Sequence, residues 1–127
     1  MAAPCIDVLF IRGASDGAHA ADQVLADALG GALGEGFCVH FPHMPREEAP
    51  DNDVWKDAIS TALRRTRATF LVAHSAGAAI VADMLAQGGE TAAELAPLRA
   101  IVLLAPGGVF GAFEVARHPI QRVGNTG

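Results

Sequence analysis

The sequence predicts an α/β fold, a three-layer αβα arrangement built around a parallel sheet. Three observations carry that prediction. Short β-rich runs alternate with segments of helical periodicity, which is the pattern of strand–helix–strand units. The short runs are almost continuously apolar, as strands covered on both faces must be. The chain has 127 residues, 51% of them apolar, which supplies one substantial core and one domain.

Residues 5–11 (Cys-Ile-Asp-Val-Leu-Phe-Ile) form the first expected strand, ended by Arg12-Gly13-Ala14. A loop follows with Ser15, Asp16 and Gly17. A helix is expected over 19–33, where Ala21, Val24, Leu25, Ala28, Leu29 and Ala32 recur at helical spacing as its inner face. Gly34-Glu35-Gly36 stops it, and a second strand occupies 37–41. From Pro42 to Asn52 the chain is polar and holds three prolines, which reads as a loop. Asp51 or Asn52 can cap the next helix, 53–66, with Val54, Trp55, Ala58, Ile59, Ala62 and Leu63 turned inward. Arg64, Arg65 and Arg67 crowd its C-terminal end, where positive charge suits the helix dipole and solvent.

A third strand is expected at 68–73, then a sharp turn, His74-Ser75-Ala76-Gly77, and a helix at 76–87. That helix is apolar almost all round (Ala78, Ala79, Ile80, Val81, Ala82, Met84, Leu85), so burial is expected. Gly88-Gly89 ends it. A short helical stretch at 91–96 leads to a fourth strand, 99–104. The spatial order expected is 37–41, 5–11, 68–73, 99–104, all parallel, with 99–104 an exposed apolar edge open to self-association. Beyond Pro106 the pattern fails: Gly107, Gly108 and Gly111 interrupt it, and no strand or helix is expected. Residues 1–127 are therefore read as a single domain, with a patterned core at 5–106 and a loose tail at 107–127.

A net charge of −5 argues against nucleic acid or an anionic membrane as main partners. No apolar run approaches the roughly 18 residues of a membrane span, and the start lacks the basic segment of a signal peptide. A cytoplasmic location follows as the expectation. Cys5 and Cys38 each lie inside an apolar run and are expected to be reduced, buried thiols.

The turn at 74–77 carries the chemistry. In an open parallel sheet, ligands bind at the carboxyl ends of the strands, and this turn sits at such an end. Ser75 is held on a tight corner that requires small neighbours. Gly77 lets strand and helix approach closely, and Ala73 is small on the other side. The N–H of Ala76 lies at a helix N-terminus, where it can donate to a developing oxyanion. A second donor is expected from the loop after the first strand, from Gly13 or Ala14.

Phe70-Leu71-Val72-Ala73-His74-Ser75-Ala76-Gly77-Ala78 resembles the nucleophile elbow of the α/β-hydrolases, G-x-S-x-G with Ala73 in place of the first glycine. Leu9-Phe10-Ile11-Arg12-Gly13-Ala14 resembles that family's oxyanion strand and loop, and Ile101-Val102-Leu103-Leu104-Ala105-Pro106 its following strand. Phe41-Pro42-His43-Met44-Pro45, with Trp55 beyond, is similar to the small single-domain serine hydrolases of the retinoblastoma-binding-protein-9 or YdeN kind. The resemblance covers 5–106. It implies a serine hydrolase of esterase type acting on a small ester, amide or thioester, with Ser75 as nucleophile, an oxyanion hole from the N–H groups of Ala14 and Ala76, and no cofactor.

The resemblance also implies a catalytic acid and histidine in the order Ser, acid, His, placed after later strands beyond residue 127. The domain is therefore expected to be incomplete, truncated after the strand that follows the turn. After Ser75 the chain offers Asp83, Glu90, Glu94 and Glu114, and one histidine, His118. Asp83 and Glu90 lie on or just past a helix that leads away from the turn, and Glu114 and His118 lie in the tail. The short chain is therefore expected to hydrolyse activated esters slowly or not at all. His74, fixed by the turn, is expected to be structural, and His19 a helix-start residue. Cys38, His40 and His43 lie close in sequence but lack an evident fourth ligand, so no metal site is expected. A receiver-type phosphoacceptor domain would need an acid where His74 and Ser75 stand. No nucleotide-binding glycine motif follows a strand. The competing class is a non-catalytic α/β module that binds a ligand or protein in the same crevice.

Overall fold

The computed structural model describes residues 4–13, 18–45, 51–105, 108–114 and 121–122. Its elements are β1 (Ile6–Ile11), α1 (Ala18–Leu33), β2 (Phe37–His40), α2 (Asn52–Thr66), β3 (Phe70–His74), α3 (Ala76–Gln87), α4 (Gly89–Ala93), β4 (Ala100–Ala105), β5 (Gly108–Glu114) and β6 (Gln121–Arg122). One sheet contains all six strands in the order β2-β1-β3-β4-β5-β6. The four strands read from the sequence are parallel in the expected order, with Leu9 opposite Leu71 and Leu71 opposite Ile101 at the centre.

Strand alternation sorts the two faces. Leu9, Ile11, Leu71, Ala73, Ile101 and Leu103 point to one face and form the main core with Trp55 and Ile59 of α2, Val81 and Met84 of α3, and Leu95 and Leu98 beyond α4. Trp55 is fully buried there, and its indole N–H donates to the carbonyl of Pro45 at 2.6 Å. Asp51, the first of the two expected caps, accepts from the N–H of Val54 at 3.1 Å to start α2. Arg67 ends α2 in the left-handed region (φ 52°), its N–H returning to Leu63. Arg64 and Arg65 are exposed as expected, Arg64 bonding Glu94 at 2.6 Å. The other face carries Val8, Phe70, Val72 and Val102, which with Leu29, Leu33 and Phe37 line an apolar recess.

Four expectations require correction. First, β4 is not an edge: β5 pairs with it antiparallel from Ala100–Glu114 to Ala105–Gly108, and β6 pairs with β5. The glycines that hid β5 from a pattern reading also fall near its bulge, where the register slips between Leu103 and Leu104. The tail at 107–127 thus contains strands at 108–114 and 121–122. Second, Cys5 and Cys38 form a disulfide, with both residues half-buried rather than in the core. Parallel pairing of β1 with β2 sets Asp7 opposite Cys38 and brings the two cysteine Cα atoms to 5.8 Å, within disulfide reach.

Third, α1 is rotated from the expected face. Val24 and Leu25 are exposed, at 71% and 38%, while Asp22 and Ala26 are buried. The stripe that faces inward is Asp22, Ala26, Leu29 and Leu33, equally helical in spacing but led by an acid. Fourth, α3 is not buried all round: Ala79 and Ala86 are exposed while Gly77, Ala78, Ile80, Val81 and Met84 are buried. Among the described residues no helix is long and apolar enough to cross a membrane.

Candidate active site

The turn from β3 into α3 holds its serine in a backbone conformation that non-glycine residues rarely adopt. Ser75 has φ 54° and ψ −115°, and it is one of two described non-glycine residues with positive φ, the other being the α2 cap Arg67. A serine gains nothing from that conformation and is held in it by its surroundings. Its N–H donates to Leu104 of β4 at 2.8 Å, and its carbonyl accepts from Ala79 at 3.0 Å to open α3.

Gly77 explains how the turn closes. A Cβ placed there would lie 2.5 Å from the carbonyl oxygen of Arg12 and 2.7 Å from Cγ2 of Ile11. Only a glycine lets α3 approach the end of β1 this closely. The approach brings the loop after β1 against the serine: a Cβ on Gly13 would lie 3.2 Å from Cβ of Ser75 and 3.5 Å from Nδ1 of His74. Gly13, one of the two residues expected to supply an oxyanion donor, is therefore beside Ser75. Ala76 is the first residue of α3, so its N–H has no acceptor within the helix. Ala14 lies outside the described residues, as do His118 and the segment preceding it from 115.

A residue that pattern reading missed ties these parts together. Asp22, only 5% exposed, accepts the N–H of Gly13 at 2.7 Å and faces Nδ1 of His74 at 3.1 Å, both through Oδ2. A carboxylate oxygen can take two donors, and with Asp22 ionised the facing Nδ1 of His74 donates. The expected structural role of His74 thus acquires a partner. The signal for Asp22 was an acid at the head of a second apolar stripe on α1, outweighed by the larger Val24 and Leu25. Arg12, beside Gly13, is also fully buried.

Other residues singled out in the sequence do not meet here. Asp83 bonds Lys56 at 2.5 Å across α2 and α3. Cys38 and His40, two of the expected non-site trio with His43, are engaged separately: Cys38 by the disulfide, His40 by Asp7 at 2.8 Å. Cys5, Asp7 and Cys38 place ligand atoms within 4.8 Å of one another, but the two sulfurs are bonded to each other.

A family profile described as serine hydrolase matches residues 39–121, well over half of the chain, from within β2 through the Ser75 turn and β4 to β6. No curated protein and no solved structure matches the chain.

Proposed function

Because the chain belongs to the serine hydrolase family, we propose that Ser75 is its nucleophile, in a nucleophile elbow that cleaves a small ester, amide or thioester by acyl transfer. The observation that carries this reading is the backbone of Ser75, φ 54° and ψ −115°, at the junction of β3 and α3. Strain of that kind costs of order 1–3 kcal/mol and persists where the surrounding structure over-determines it, commonly at active sites. It turns the serine out at the carboxyl end of the sheet, where an acyl group can reach it.

In this mechanism the Ser75 oxygen attacks the substrate carbonyl carbon. The bond from that carbon to the alcohol, amine or thiol breaks as the leaving group takes up the proton lost by Ser75, and water then releases the acyl group from Ser75. The carbonyl oxygen, gaining negative charge, is received by the N–H of Ala76 and the N–H of Ala14. Such donors act through preorganisation, and loss of one costs about 10²–10³ in rate. The proton of Ser75 requires a base, and a serine without one is a weak nucleophile. Nε2 of His40 faces Asp7 and Nδ1 of His74 faces Asp22. The family order Ser, acid, His calls for a base later in the sequence, and the esterase-type reaction runs at full rate only with that base in place.

Hydrolysis of short-chain p-nitrophenyl esters tests the reading. Slow turnover that disappears in Ser75→Ala is expected. Turnover that survives Ser75→Ala moves the nucleophile elsewhere, and saturable ligand binding without any turnover favours a binding module.

A further inference from the structure

We propose that Asp22 is the positioning residue of this site: one carboxylate oxygen ties the end of the β1 segment at Gly13 to the Ser75 turn through His74 and takes the Gly13 amide away from the substrate. The inference rests on the reading of Ser75 as nucleophile and adds to it a residue outside the turn. Acids are rarely buried without partners, and Asp22 is 5% exposed on a helix whose neighbouring positions, Ala21 and Gln23, are exposed or half-buried. Both of its partners belong to the site. Gly13 N–H, at 2.7 Å, comes from the wall that faces Ser75, and His74 Nδ1, at 3.1 Å, from the residue preceding Ser75.

The consequence is specific. The sequence offers two amides, Gly13 and Ala14, as the loop's donor to an oxyanion. Asp22 consumes the first, so the N–H of Gly13 is not free to serve an oxyanion. The same oxygen holds His74 and so restrains the strained residue after it. Asp22 touches no reacting atom; it acts through Gly13 and His74.

Amide hydrogen exchange followed by ¹⁵N–¹H NMR on the 127-residue chain tests this without requiring turnover. In Asp22→Ala, exchange at Gly13 and Ser75 should rise roughly tenfold or more, the scale of losing a hydrogen bond to a charged group. The amides of Ile101, Val102 and Leu103 should keep their wild-type rates. Asp22→Asn, which keeps one acceptor oxygen and the shape, should give a smaller rise at the same two amides and serves if the alanine variant does not fold. A rise at Gly13 alone, or an equal rise throughout β4, overturns the proposal, because Asp22 would then satisfy one local N–H or act on global stability. Phosphonate labelling of Ser75 in the same variants supplies the chemical readout: the limiting rate should fall while the probe concentration for half-maximal rate is retained. If wild-type Ser75 takes no label, the nucleophile reading fails, and the coupling of Gly13 to Ser75 is still decided by exchange.

Discussion

Gly77→Ala sets a gain against a loss that the structure allows to be weighed. At an unencumbered helical position, alanine is favoured over glycine by up to about 1 kcal/mol. At Gly77 the added carbon would stand 2.5 Å from the Arg12 carbonyl oxygen, 2.7 Å from Ile11 Cγ2 and 3.1 Å from the Ile11 carbonyl oxygen. Comfortable contacts lie about 3.5–4.0 Å apart, so α3 and the end of β1 must separate by about 1 Å. Two of the three obstructing atoms are backbone and the third belongs to a fully buried side chain, so none can swing aside. Overpacking of this kind typically costs about 1–3 kcal/mol. Taking the upper end, the net loss is about 2 kcal/mol, which for a domain of this size lowers Tm by roughly 8 °C. Gly31→Ala on α1 is the control, because a Cβ there meets nothing within 4 Å; it should hold or raise stability. Urea titration of both variants decides the matter. A Gly77→Ala protein as stable as wild type, with Gly31→Ala behaving as stated, would refute the close approach of α3 to β1.

The same elbow predicts that Ser75→Gly is more stable than Ser75→Ala by about 1 kcal/mol, since glycine adopts positive φ without a side-chain penalty; equal denaturation midpoints would contradict the backbone described for Ser75. The Cys5–Cys38 bond spans 33 positions, for which the chain-entropy relation gives about 3.7 kcal/mol of stabilisation. Adding a dithiol reductant should lower the midpoint accordingly, and an unchanged midpoint would show that the cross-link does not contribute.

Sequence periodicity made the parallel core legible because β1, β3 and β4 are apolar at nearly every position, Asp7 and His74 being the exceptions, as strands covered on both faces must be. The Ser75 turn was legible through its context: small residues around a serine are common, but here they fall between an apolar strand and a helix inside a four-strand parallel pattern. What escaped did so through competition between signals. On α1 two stripes share helical spacing, and apolar size favoured Val24 and Leu25, whereas the pairing of Asp22 with Gly13 and His74 turned the other stripe inward. In β5 the glycines Gly108 and Gly111 look like breakers, yet an antiparallel partner can hold them in a strand through backbone bonds that composition does not reveal. Cys5 and Cys38 were each placed in the right strand region, but their pairing depends on register between β1 and β2, which neither segment encodes alone.

The most direct test of Ser75 as nucleophile is covalent. The 127-residue protein is exposed for a prolonged period to a fluorophosphonate probe, digested, and the modified residue located by mass spectrometry. The account predicts slow formation of a single phosphonyl adduct on Ser75, absent in Ser75→Ala, because a serine without the base that follows it in the family order is a weak nucleophile. An adduct on another residue that persists in Ser75→Ala, or no adduct on Ser75 at all, would contradict it.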